Sequence, residues 1–130
     1  MKPEVLMQYA MDAMGRAYAP YSHYQVGAAL LCADGAVYQG CNIENASYSP
    51  TICAERTAFA KAVSEGQREF VAIAICGGIN REITSLCTPC GVCRQVMREF
   101  CADDFMVYMA KPGGIEERTL TQLLPDSFQL

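Results

Sequence analysis

Between Pro3 and Ala19 the apolar residues Val5, Leu6, Tyr9, Ala10, Ala13, Met14 and Ala17 recur every three or four positions, which gathers them on one stripe of a helix ended by Pro20. The period then changes. Tyr24 to Leu31 and Ala36 to Ile43 are strand-like apolar runs, and the Asp34-Gly35 pair between them is a hairpin signal. Cys53 to Gly66 returns to helical spacing, with Gly66 as its stop. Phe70 to Cys76 is an almost unbroken apolar run, the pattern of a strand covered on both faces and therefore central in its sheet, with Gly77-Gly78 ending it. After a turn-rich segment that reaches Pro89, the pattern predicts a helix from about Cys90 to Phe100, a strand from Phe105 to Met109 and a short helix from Thr119 to Leu124.

The predicted order is helix, two strands, helix, strand, helix, strand. A hairpin is antiparallel, whereas strands joined through single helices need crossovers, so the expectation is an α/β fold whose mixed sheet carries helices on its faces. At 130 residues, 52% hydrophobic and 18% charged, the chain reads as a single domain over residues 1–130, and disorder is excluded on composition. Ten Lys and Arg against 14 Asp and Glu leave a net charge of −4, which disfavours nucleic acid and anionic membranes as partners. The uncharged apolar runs Val26–Ala33 and Val71–Ile79 are far shorter than the roughly 20 residues needed to cross a bilayer. Met1 to Gly15 carries Glu4 and Asp12 and has no signal-peptide pattern, so a cytoplasmic protein is expected. In such a reducing compartment eight cysteines point to metal binding, buried thiols or catalysis rather than to a disulfide framework.

Two short segments concentrate the candidate chemistry: Cys53-Ala54-Glu55 and Pro89-Cys90-Gly91-Val92-Cys93, each at a predicted helix start. Cys90 and Cys93, three apart in a first turn, project on one side and can share a tetrahedral metal, with Cys53 as a third ligand. Helix N-termini favour thiolate over thiol, and three thiolates suit zinc. Three protein ligands leave a fourth position for water, the arrangement of a catalytic zinc site. Glu55, two residues after one ligand, is placed to accept and deliver a proton, and Arg56 can donate hydrogen bonds to the sulfurs. Cysteine spacing alone also allows a structural zinc held by four cysteines, the set completed by Cys87, Cys41, Cys76 or Cys32. Cys32, Cys41, Cys76 and Cys101 are otherwise simplest as small core residues, and His23, the single histidine, reads as a surface or interface residue.

Zinc deaminases of nucleobases carry an H-x-E…P-C-x-x-C signature that has an all-cysteine variant, and this chain has that three-cysteine form. Over nearly its whole length the sequence resembles a cytidine deaminase of the small, homotetrameric class. The resemblance rests on Ala19-Pro20-Tyr21-Ser22, Gln25-Val26-Gly27-Ala28-Ala29-Leu30, Gly40-Cys41-Asn42-Ile43-Glu44-Asn45-Ala46, Cys53-Ala54-Glu55-Arg56-Thr57-Ala58, Pro89-Cys90-Gly91-Val92-Cys93-Arg94-Gln95 and Leu123-Leu124-Pro125. It implies a three-layer α/β/α sandwich around a mixed sheet of about five strands, one zinc ion per subunit held by Cys53, Cys90 and Cys93, and Glu55 as proton shuttle. It further implies that Asn42 and Glu44 bind ribose, that the Ala54 N–H approaches the pyrimidine O2, and that the Thr88 carbonyl lies near departing ammonia. Phe128 matches an aromatic that reaches a neighbouring subunit's site in a homotetramer, and Tyr24 stands where the family places a base-stacking phenylalanine.

The expected reaction is hydrolytic deamination of cytidine and 2'-deoxycytidine, a pyrimidine-salvage activity that needs no organic cofactor. The alternative is a deaminase of a modified cytosine nucleoside such as blasticidin S, against which Glu44 argues as a ribose-binding carboxylate. From other classes, a polynucleotide-editing deaminase is disfavoured by the acidic balance, and a zinc-stabilised interaction module leaves Glu55 without a use.

Overall fold

A computed structural model describes residues 1–130 as α1 (Pro3–Met14), β1 (Tyr24–Cys32), β2 (Val37–Cys41), α2 (Ala54–Ser64), β3 (Phe70–Ile79), α3 (Gly91–Phe100), β4 (Met106–Lys111), β5 (Gly114–Thr119) and α4 (Leu120–Leu123). The strands form one sheet in the order β2-β1-β3-β4-β5, with β3 at its centre as its unbroken apolar run predicts. Only β3 and β4 are parallel, and α3 lies in the crossover between them. The pairs β1–β2, β1–β3 and β4–β5 are antiparallel, so the sheet is mixed.

Alternation along the strands sorts side chains into two layers. Ala28, Leu30, Cys32, Ile73, Ile75, Val107 and Met109 face α2 and α3, where Phe59 packs against Phe70, Phe100 and Phe105 with ring centroids 5.2 to 6.3 Å apart. Ala29, Ala72, Ala74, Cys76 and Ala110 face α1 through its Leu6, Met7, Ala10 and Met14. Small residues on that face let α1 lie close to the sheet, and the result is a helix–sheet–helix sandwich. No helix is long and apolar enough to cross a membrane.

Three element ends depart from the sequence pattern, and a fifth strand is added to it. The first helix stops at Met14 rather than reaching Pro20, because the chain turns at Gly15 and the Tyr18 N–H donates to the Asn42 carbonyl instead (2.9 Å). Its buried stripe is Leu6, Met7, Ala10, Ala13 and Met14, while Val5 and Tyr9 are exposed. The second strand ends at Cys41, and Ile43 makes only isolated bridges to Tyr18 and Ile52. Gly77 and Gly78 do not end β3: both remain paired, opposite Val26 and Gln25, and Ile79 pairs with Tyr24. The fifth strand is not apparent in the pattern, since Gly114–Thr119 contains a single large apolar residue, Ile115. As an edge strand it has one face in solvent and carries Glu116 between Lys111 and Arg118 (2.7 Å to Arg118 Nη1).

Gly40 sets how closely α2 approaches β2. A side chain there would run into the Ala54 carbonyl, the Ala58 N–H and the Ala58 methyl, so glycine is what allows the start of α2 to rest on the strand.

Candidate active site

The cysteines come together through helix termini. Cys53 is the N-cap of α2, Cys90 is the N-cap of α3, and Cys93 lies in the first turn of α3. Neither N-cap cysteine uses its side chain to cap, which leaves the sulfurs free to face one another. Two clamps fix the termini. The Thr57 hydroxyl lies 3.1 Å from the carbonyls of both Cys41 and Cys53, tying α2 to the end of β2. Arg94 donates from Nε to the Pro89 carbonyl (2.8 Å) and from Nη1 to the Leu123 carbonyl (2.7 Å), tying the turn before Cys90 to α4.

The sulfurs of Cys53, Cys90 and Cys93 lie within 4.8 Å of one another, and no further Cys, His, Asp or Glu joins that group. A tetrahedral zinc with Zn–S distances of about 2.3 Å places its sulfurs about 3.8 Å apart, so small side-chain adjustments bring this trio onto an ion. The donor chemistry fits as well. Arg56 Nη2 lies 3.6 Å from Cys53 Sγ and 3.4 Å from the Thr51 carbonyl, and its buried Nε has no partner, a surplus of donors beside the sulfurs. Cys93 and Arg56 beside it hold the Cys53 thiol below its ordinary range, while Cys53 and burial push Cys93 up. The reading of a four-cysteine structural site is not met: Cys32 and Cys76 are buried in the core, Cys87 lines the cleft but lies outside the close group of sulfurs, and the Cys41 thiol faces the Arg16 carbonyl (3.5 Å).

Glu55 is 5% exposed and lines the same cleft. Burial is the main cause of its rise to about 7, opposed by a hydrogen bond from its own backbone N–H and reinforced by Cys53. The cleft has a volume of about 340 Å³, within the range that holds a small organic ligand. Asn42, Glu44, Tyr24, Ala54 and Thr88 all line it, together with Cys53 and Cys90.

Asn42 and Glu44 are fixed by the backbone rather than left to solvent. Asn42 Oδ1 accepts from the Val26 N–H (2.9 Å), and its Nδ2 donates to the Tyr24 carbonyl (2.8 Å). Glu44 Oε1 accepts from the N–H groups of Tyr21 (3.0 Å) and Ser22 (3.1 Å), and Oε2 accepts from the Ser22 hydroxyl. The Ser22 hydrogen bonds hold the Glu44 carboxyl below its ordinary range, so it stays ionised. Each side chain retains hydrogen-bonding capacity for a ligand hydroxyl.

Phe128 is the one candidate not gathered here. It is 68% exposed on the C-terminal tail, which is held elsewhere by Gln129 Nε2 donating to the Arg98 carbonyl (3.0 Å). His23 is exposed at φ 60° and lines nothing in the cleft. Val26, Thr51, Ile52 and Leu86 also line the cleft and carry no sequence signal for it, because apolar and hydroxyl side chains have no characteristic spacing in a pocket; Cys87, read from sequence only as a possible fourth zinc ligand, lines it too.

The model of the family described as "Cytidine and deoxycytidylate deaminase zinc-binding region" matches residues 1–109. A cytidine deaminase of Halalkalibacterium halodurans is 51% identical over 129 residues, covering 98% of this chain and 95% of that protein. The crystal structure of cytidine deaminase from Burkholderia pseudomallei superposes with a TM-score of 0.91 at 44% identity, covering 98% of this chain and all of the other. A blasticidin-S deaminase of Bacillus cereus is more distant, 30% identical over 125 residues, with 92% of this chain and 87% of that protein covered. The sulfur trio, the buried carboxyl beside it and these likenesses together establish that the chain belongs to the cytidine and deoxycytidylate deaminase family.

Proposed function

We propose that this protein is a zinc-dependent deaminase that converts cytidine and 2'-deoxycytidine, with water, to uridine and 2'-deoxyuridine and ammonia. The observation that carries the reading is a buried Glu55 two residues from Cys53, beside three converging sulfurs and at the wall of a nucleoside-sized cleft. Cys53, Cys90 and Cys93 hold one zinc ion per chain, and Arg56 balances their charge. Zinc, when bound, supplies Lewis-acid activation of water.

The chain's own groups do the rest. Glu55 takes one proton from water and delivers it to the pyrimidine N3 as the water oxygen adds to C4, then takes the second proton of that oxygen and gives it to the amino group, so that the C4–N bond breaks and ammonia leaves; such transfers suit a carboxyl whose burial brings it near neutrality. The Ala54 N–H, in the first turn of α2 where no intrahelical acceptor exists, is available to donate to the pyrimidine O2. The Thr88 carbonyl receives the leaving ammonia. Asn42 and Glu44 bind ribose hydroxyls, and the Tyr24 ring packs on the base. A fixed, ionised Glu44 recognises an unmodified sugar, which favours plain nucleosides over blasticidin-type substrates.

The exposed Phe128 is supported as a residue that completes the cleft of a neighbouring subunit in a homotetramer, since nothing in its own chain covers it. The proposed setting is cytoplasmic pyrimidine salvage. Metal analysis followed by ultraviolet monitoring of cytidine, deoxycytidine, cytosine, cytidine monophosphate and blasticidin S tests the reading. Zinc with rapid conversion of the first two nucleosides is expected, and a zinc-loaded protein inert on both overturns it.

A further inference from the structure

Three residues at one side of the cleft depend on one another, and the reaction described above makes no use of two of them. Tyr24 pairs with Ile79 and Val26 with Gly77, so the Tyr24 ring leans across its diagonal neighbour Gly77 on the same face of the sheet. A methyl group on Gly77 would stand 2.9 Å from Tyr24 Cε1, 3.1 Å from the Tyr24 hydroxyl and 2.9 Å from Cys87 Sγ. The phenol and the thiol therefore meet over the space that the glycine leaves open. Cys87 is 6% exposed, and its N–H donates to the Ala110 carbonyl (3.3 Å), which anchors the sulfur to β4. The Tyr24 hydroxyl and the Cys87 sulfur thus border one and the same space above Gly77, and burial followed by Cys87 pushes the phenol up to about 12. Both line the cleft.

We infer that Gly77 and Cys87 are positioning residues: together they hold the Tyr24 hydroxyl against the cleft wall, so that the ring offers carbon rather than oxygen to the pyrimidine base. The inference deepens the proposed deaminase function and rests on it. A tyrosine hydroxyl free to turn inward would compete for the polar edge of the base. Gly77 supplies the room that keeps it out, and Cys87 supplies a polar sulfur beside that room for the hydroxyl to face.

A double-substitution cycle tests this. Cys87→Ala should raise KM for cytidine about three- to tenfold, the scale of one lost hydrogen bond, with kcat within about twofold, whereas Tyr24→Phe has no hydroxyl to turn inward and should raise KM less than Cys87→Ala does. The double variant should be no worse than the poorer single variant, and Cys87→Ser, which retains a donor and acceptor, should return most of the loss. KM effects that multiply, or a Cys87→Ser protein as impaired as Cys87→Ala, overturn the inference. Should the Cys87 variants not fold, Gly77→Ala gives the second test: its methyl pushes the ring inward, raising KM at unchanged zinc content, and an unchanged KM overturns the inference. Conversion of cytidine by the unaltered protein decides the deaminase reading separately. In a protein without turnover the same cycle is read in the thermal midpoint, where additive shifts overturn the unit.

Discussion

Glu55→Gln isolates proton transfer from every other property of the site. The side chain is 5% exposed in the wall of the cleft, so a change in volume would disturb packing, and glutamine nearly preserves the shape while removing the ability to carry a proton. Glu55 lies outside the group of mutually close sulfurs, so zinc content should not change. General acid–base catalysis contributes a factor of about 10² to 10⁴. At 1.36 kcal/mol per tenfold, that raises the barrier by about 2.7 to 5.4 kcal/mol. In the proposed reaction the same carboxyl serves N3 and then the amino group, so the loss should fall at the upper end and in kcat rather than KM. The assay follows the ultraviolet change from cytidine to uridine, with zinc measured on the same sample and a thermal melt confirming the fold. A zinc-loaded, folded Glu55→Gln protein within about tenfold of the unaltered rate would refute the proton-carrying role. Loss of zinc in that variant would instead make Glu55 a support for the metal.

Arg56→Gln should weaken zinc binding by about 10- to 100-fold in a chelator competition, the usual effect of removing a group that hydrogen-bonds a metal ligand, since Arg56 Nη2 faces Cys53 Sγ. Gly40→Ala should cost about 1 to 3 kcal/mol or more in a denaturant titration, because the added methyl meets the backbone of α2 rather than a movable side-chain end, and it should lower zinc content by shifting Cys53. The protein should elute near four times its 14.2 kDa chain mass in a calibrated or light-scattering measurement. Phe128→Ala should raise KM for cytidine while leaving the monomer fold intact, and an unchanged KM in a tetramer would remove Phe128 from the neighbour's site.

What the sequence discloses here depends on how local each signal is. The three zinc-ligand candidates and Glu55 are legible because cysteines three apart at a helix start, and a carboxylate two residues after a third cysteine, are geometric statements within one or two turns. The central place of β3 is legible because a strand covered on both faces must be apolar throughout. The strand order is only partly so: a hairpin joins β1 to β2, yet the insertion of β1 between β2 and β3 is a choice among folds that no local pattern encodes. An edge strand such as Gly114–Thr119 buries too little to need an apolar run, and the Pro112-Gly113 turn that starts its hairpin, with Gly113 at φ 79°, is the available cue. Gly77 and Gly78 mislead for a related reason, since a backbone ladder continues whether or not side chains do. Cys87 and Gly77 gain meaning only once the Tyr24 ring is seen lying over them.

The metal and the fold are separable in this architecture, which makes chelation informative. Small domains that lack a core unfold without zinc, because binding supplies their folding energy. Here two buried clusters pack on opposite faces of the sheet, and the helix ends that carry the sulfurs are held by Thr57 and Arg94 through contacts that involve no ion. Charge is also managed, since Arg56 Nη2 lies 3.6 Å from Cys53 Sγ and offsets negative charge on that sulfur. Removing zinc at neutral pH should therefore abolish turnover while far-ultraviolet circular dichroism and a cooperative melt persist. Added zinc should return activity and raise stability by about 4 kcal/mol when free zinc exceeds Kd a thousandfold. Collapse of the circular dichroism on chelation would mean that the clamps do not set the site, and that the ion itself draws the two helix termini together.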